Sequence, residues 1–218
     1  MGRTPSAKRK NSEPTTRWRR RAQARPEEIL DAALAEFTER GFEAARMEDI
    51  AKRAGISKGG VYLYFPSKTA LLEALIEARV TPLARLAQTI AATGGEDPMN
   101  AIRMIATAAA HRLGDPKVFA VPRLVISVAG QFPEIAEFYR AHVVDVALGA
   151  LTQLIEAAMA KGALRRVDPR AAARAFIGPI LFEALFAHVL RGESALGNPE
   201  KLIEQHFDVW LNGLERRA

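Results

Sequence analysis

Four times after residue 96 an Asp or Asn stands directly before a proline: Asp97-Pro98, Asp115-Pro116, Asp168-Pro169 and Asn198-Pro199. A short carboxylate or amide accepts from the free N–H groups of a helix's first turn. Proline suits the position after it, where a missing N–H loses no partner and φ is already helical. Each pair therefore predicts a helix start, and four of them dictate a body of helices joined by short connections. Helices are expected over 98–113, 116–130 with a bend near Pro122, 133–161 with Gly162 as its stop, 169–191 and 199–215. No stretch alternates apolar and polar residues as a half-buried strand would, so the chain reads as all-α.

The first third carries shorter elements. Pro26, Glu27 and Glu28 suit a helix start, and Ile29, Leu30, Ala33, Leu34 and Phe37 recur at helical spacing until Gly41, giving a helix of 26–40. Short helices follow over 47–53 and 58–64, with Gly55 in the turn and Ser57 as a cap. Ser67 caps a long fourth helix that carries Leu71, Leu72, Leu75, Ile76, Leu83, Leu86 and Ile90 on one face and a kink at Pro82. That makes about nine helices. Met47 to Lys68 has the layout of a helix-turn-helix, whose second helix enters the major groove of DNA. Val61 and Phe65, four apart, share an inward face. The phenols of Tyr62 and Tyr64 and the ammonium of Lys68 can reach phosphate oxygens, and Lys58 a guanine edge or a phosphate.

Charge divides the chain further. The net charge is +6, and residues 1–25 hold nine Lys or Arg and one acid, which leaves 22 basic and 24 acidic residues for the rest. The expected organisation is a disordered basic arm (1–25), a helix-turn-helix domain (26–70) and a larger helical domain (71–218). The arm either follows phosphates beside the main site or is a solvated leader. With no cysteine there are no disulfides or thiolate metal sites, which fits a reducing cytoplasm. The longest apolar run, Ala175 to Leu190, is interrupted by Pro179, Glu183 and His188 and reads as too short for a bilayer.

Gly41-Phe42, Asp49-Ile50-Ala51, Ala54-Gly55-Ile56-Ser57-Lys58-Gly59, Tyr62, Tyr64-Phe65 and Ser67-Lys68 followed by Leu71 resemble the N-terminal DNA-binding region of TetR-family transcriptional regulators, over about residues 27–75. The resemblance implies an all-α homodimer. Three N-terminal helices bind a palindromic operator, and helix 4 links them to a ligand-binding and dimerisation domain whose small-molecule effector shifts the two reading heads. It places Tyr62, Tyr64 and Lys68 against the DNA backbone and Lys58, Gly59 and Gly60 at the opening of the recognition helix. Ser57 and Arg46 complete the expected DNA-binding set. Two departures stand out: Ala45-Arg46 replaces the usual small hydroxyl before the second helix, and Gly60 replaces a Thr or similar residue. The glycine pair allows close approach but offers no side-chain readout of bases.

The second half, through Arg123-Leu124-Val125-Ile126-Ser127, Phe132-Pro133-Glu134 and Phe138-Tyr139, is similar to the C-terminal pattern of one subgroup of that family. The helix of 169–191 is apolar all round and must be covered all round. A second copy across a two-fold axis is the expected cover, with Phe176, Ile180, Glu183, Phe186, Phe207, Trp210 and Leu214 at the seam; the alternative is a monomeric core sealed by the last helix. A mostly apolar effector pocket among helices 4 to 8 draws its candidates from His111, Phe119, Arg123, Gln131, Tyr139, His142, Phe182 and Phe186.

Other classes find less support. No phosphate loop, nucleophile elbow or H-E-x-x-H appears, and the four histidines have no partnered carboxylates at metal-ligand spacing, so neither an enzyme, a metal nor a cofactor is expected. A sequence-tolerant DNA-coating protein is the remaining alternative. The reading favoured by the residues is a repressor that binds a palindrome as a dimer and leaves it when a small apolar ligand binds.

Overall fold

The computed structural model describes residues 16–212, with side chains from Pro26 onward. It contains α1 (Thr16–Arg40), α2 (Met47–Arg53), α3 (Lys58–Tyr64), α4 (Lys68–Arg79), α5 (Thr81–Thr93), α6 (Pro98–Gly114), α7 (Pro116–Val128), α8 (Pro133–Tyr139), α9 (Asp145–Ala160), α10 (Pro169–His188) and α11 (Pro199–Asn212), with no strand among the described residues. A π turn at Arg140–Val144 joins α8 to α9 in one rod. Counting that rod and the α4–α5 pair as one helix each gives the nine expected.

The caps foreseen in the sequence form. Asp97, Asp115 and Asp168 accept from the N–H groups of Asn100 (3.1 Å), Lys117 (2.8 Å) and Arg170 (2.8 Å), and Asn198 accepts from Lys201 (3.1 Å). Three boundaries differ. α1 begins at Thr16, so Pro26 lies inside it: the Arg, Ala and Gln residues ahead of Pro26 are good helix formers, and the helix continues through them. Residues 1–15 of the expected arm lie outside the described residues. The long helix after Ser67 breaks at Val80, because Pro82 has no N–H for the preceding turn and its ring excludes the carbonyl four residues back. The helix expected to reach 191 ends at His188, and Arg191 turns the chain with φ +56°.

Two apolar cores result. The first gathers Ile29, Ala33 and Phe37 of α1, Ile50 of α2, Val61 of α3 and Leu71, Leu72, Leu75 and Ile76 of α4, and is completed by Val121, Leu124, Val125 and Val128 of α7 and Ile135 of α8. Three helices of this length cannot enclose a core alone, and the body supplies the missing wall. Phe42 marks the seam, with its ring 5.1 Å from Phe37 and 5.0 Å, edge-on, from Phe132. The second core fills the bundle of α5, α6, α9, α10 and α11 with alanines around Ile102, Leu151, Leu154, Phe176, Ile180 and Phe207. By length and composition the 133–160 rod and α10 would each reach across a membrane, further than their interrupted apolar runs suggest, yet α8 packs on α4 and α7, and α9 and α10 pack against α6 and each other.

His206 on α11 ties the bundle together by a 2.7 Å hydrogen bond to the Phe176 carbonyl of α10. Burial holds its pKa below the usual histidine value, partly opposed by that bond. The unfolded chain therefore takes up a proton more readily than the folded one, and His206 removes stability as pH falls through its unfolded pKa of about 6.5. The loss of melting temperature between pH 7.5 and 5.5 is expected to be smaller in His206→Asn than in the parent, as measured by calorimetry.

Candidate DNA-binding site

Gly55, at φ +67°, makes the turn between α2 and α3, and the Ile56 N–H returns to the Ala51 carbonyl at 3.0 Å. Ser57 caps α3 by accepting from the Gly60 N–H at 3.1 Å. The orientation of α2 on α1 rests on charge. Glu36, buried on α1, takes the Arg40 Nε at 3.1 Å and the Arg53 Nε of α2 at 3.0 Å, while the same Arg53 grips Glu39 at 2.5 Å. A buried carboxylate is tolerated only when paired, and two guanidiniums lie at ion-pair distance from this one, although its Oε2 makes no well-aligned hydrogen bond. Hydrogen bonding from Arg53 holds the exposed Glu39 carboxyl below the usual carboxylate range.

Arg46, Tyr62, Ser67 and Lys68 line one open cleft of about 700 Å³, together with the 42–48 loop and Phe132. Lys58 stands at the start of α3, its ammonium ion-paired with Glu48 and 6.0 Å from the centre of the Tyr62 ring. The hydrogen bond to Glu48 raises the Lys58 pKa above the usual lysine value. Tyr62 and Tyr64 are 44% and 41% exposed, whereas Val61, directly before Tyr62, is fully buried, as its spacing from Phe65 requires. Gly59 and Gly60 leave the rest of the face bare.

Lys68 has a structural task that its sequence position does not announce. Its ammonium donates to the carbonyls of Phe42 (2.8 Å) and Glu43 (2.7 Å) and lies 5.1 Å from the Phe42 ring centre. It thus fastens the start of α4 to the loop between α1 and α2, and desolvation lowers its pKa. Leu63, absent from the expected set, is 86% exposed on α3. Its signal was present in the sequence: it stands three and four residues beyond the glycine pair, on the face those glycines leave empty.

The expected pocket residues are not gathered in one place. His111 pairs with Glu200 at 2.8 Å on the outside of the bundle, and His142 bonds the Phe138 carbonyl one turn back. Gln131 is exposed in a connection, Phe182 is 55% exposed on the outside of α10, and Tyr139 packs against the first core, where burial pushes its phenol up to about 12. Phe186 packs over Gly192 at the turn after α10. Phe119 and Arg123 alone share a cleft, between α1 and α7.

Within the single chain the expected seam residues do not form one exposed strip. Phe176, Ile180 and Phe207 belong to the second core, Trp210 stacks edge-on against Phe176 at 4.8 Å, and Glu183 turns inward to accept from Ser194 (2.8 Å). An apolar helix offers no contrast from which to tell its inner stripe from its outer one. Leu214 lies outside the described residues. The apolar groups α10 leaves uncovered are Leu181 and Phe182, beside Ala175 and Pro179. Among the described residues no cluster of His, Asp or Glu is placed to hold a metal ion.

A three-helix head that presents cations and phenols around a glycine-turned recognition helix, set on an α-helical body, defines a helix-turn-helix regulator. Comparison with known proteins gives the family. Residues 29–75 match the family model of bacterial regulatory proteins of the tetR family, and 100–208 match the C-terminal domain of AefR-like transcriptional repressors. The HTH-type transcriptional regulator RutR of Escherichia coli is 48% identical over 63 residues, which is 28% of this chain and 30% of RutR. SmeT, the repressor of the Stenotrophomonas maltophilia multidrug efflux pump SmeDEF, aligns in its triclosan complex with a TM-score of 0.74 at 25% identity, covering 86% of this chain and 91% of that one. The fatty acid degradation regulator FadR from Bacillus halodurans shares the fold, with a TM-score of 0.71 at 23% identity over 88% of this chain and 97% of that one. The chain belongs to the TetR family: it is a DNA-binding transcriptional regulator, not an enzyme.

Lys68→Met keeps the apolar stem and removes the donor for two carbonyls. Leaving them unpaired is expected to cost about 1–3 kcal/mol, read from the urea midpoint.

Proposed function

We propose that this regulator is a repressor that binds a palindromic operator as a homodimer and is released by a small ligand. The observation that carries the DNA reading is the surface on which Arg46, Lys58 and Tyr62 stand together beside the capped start of α4. Arg46 and the two phenols contact phosphates, with Ser67 and Lys68 holding the α4 terminus against the same strand. Ser57, Gly59 and Gly60 bring the α3 backbone close to the groove floor. Lys58 leaves Glu48 for a guanine edge or a phosphate, and Leu63 meets a thymine methyl. The match to a repressor C-terminal domain supports repression, and the setting is the cytoplasm, where bacterial DNA lies.

The dimer forms through the outer strip of α10 around Phe182 with the outer face of α11, a contact that covers the apolar groups the monomer leaves in water. The 1–25 segment adds cations that follow the adjacent phosphates. SmeT in its triclosan complex, a neighbour at 25% identity, supports a ligand-bound state of the body.

Footprinting of genomic fragments recovered with the purified protein is expected to show one or a few two-fold sites, with affinity falling steeply in salt. Protection spread evenly over all fragments would instead indicate a DNA-coating protein. Lys58→Ala is expected to weaken operator binding about 10-fold, on the scale of a bidentate base contact, with a shallower salt slope if it neutralises a phosphate, and Tyr62→Phe by less, with the slope unchanged. Phe182→Glu is expected to yield a folded monomer in light scattering that no longer holds the full palindrome; a dimer of unchanged affinity would move the seam elsewhere.

A further inference from the structure

Away from the DNA face, an open cleft of about 610 Å³ lies between α1 and α7, with His188 also in its lining. Its volume lies within the range of about 300–1,000 Å³ typical of small-molecule sites. The floor is apolar, from Leu34 and Ala35 of α1 and Phe119 and Ala120 of α7. His188 is fixed there by its bond to the Leu113 carbonyl (3.0 Å) and by its ring against Phe119 (5.2 Å between centres).

The rim has two cations and two carboxylates, but their states differ. Asp31 is engaged by Arg79 at 2.8 Å and Glu39 by Arg53 at 2.5 Å. Lys117 and Arg123 form no ion pair among the described residues. The charge left to offer a ligand is positive, above an apolar floor. We propose that this cleft binds a small amphipathic anion, its carboxylate or equivalent acid drawn to Lys117 and Arg123 and its apolar part laid on Leu34, Ala35 and Phe119. The site lies at the joint between head and body, outside the bundle interior where the sequence led us to expect an effector.

Its position gives it leverage. The α1 residues that line it, Ala35, Thr38 and Glu39, flank Glu36, whose carboxylate together with that of Glu39 holds α2 through Arg53. An occupant therefore presses on α1 beside the contacts that aim α2 and α3. This consequence for DNA rests on the ligand-release reading above; the binding itself does not.

Sodium decanoate, decanol and decyltrimethylammonium serve as probes of one chain length and three charges. Titration calorimetry on the full-length protein is expected to show decanoate binding at least ten-fold tighter than the other two. Lys117→Ala/Arg123→Ala should weaken decanoate ten-fold or more while leaving operator affinity unchanged without ligand, and Ala35→Trp should block it by filling the floor. Absence of decanoate binding, equal binding of the cationic probe, or decanoate affinity untouched in both variants overturns the proposal. A fluorescent operator separates the two readings. Decanoate that binds through Lys117 and Arg123 without releasing DNA upholds the site and counts against release by this ligand class; release unaffected by variants that no longer bind decanoate here places the effector elsewhere and overturns the leverage of this cleft on DNA.

Discussion

The head of this protein does not own its core. Ile50 and Val61, the inward residues of the helix-turn-helix, are sealed by α1 and α4, and the far wall of that same core is Val121, Leu124, Val125 and Val128 of α7 with Ile135 of α8. Burying an aliphatic side chain is worth about 1.5–3 kcal/mol, and three short helices bury too few to stand alone. The head is therefore aimed by the body that completes it. Close-packed interiors transmit displacement rather than absorb it, so a shift of α7 reaches α3 through a continuous set of contacts.

Polar contacts then fix what the apolar core leaves free. Glu36 and Glu39 clamp Arg53 and set the tilt of α2, and Lys68 laces α4 to the loop before α2. The first contact is made to α1, while Lys68 also lines the cleft that Arg46 and Tyr62 share. Lys58 is held by Glu48, so the proposed contact of Lys58 with DNA exchanges one ion pair for another.

Local chemistry was the legible part of the sequence. An Asp before a proline, a serine before a lysine and a glycine after two turns act within a few residues, and the helices began and turned where these signals stood. The recognition helix was legible for the same reason, with Val61 inward and Tyr62 outward. What failed to show was whatever depends on a partner distant in sequence. The inner and outer stripes of α10 are equally apolar, so only α6, α9 and α11 decide that Phe176 is covered and Phe182 is not. The duty of Lys68 depends on carbonyls 25 and 26 residues earlier. The cleft beside Phe119 exists because α1 and α7, far apart in the chain, lie together.

The π turn at Arg140–Val144 has a geometric effect that reaches both cores. Ile135 and Leu151 are sixteen residues apart, and in an unbroken α-helix of 3.6 residues per turn they would point about 160° apart. Ile135 belongs to the core of the head and Leu151 to that of the bundle, both on the protein side of one rod. The wider turn takes up extra residue and brings the two stripes back toward a common side. It works as a phase corrector: the rod is a single shaft serving two gear trains, and the turn keeps their teeth engaged.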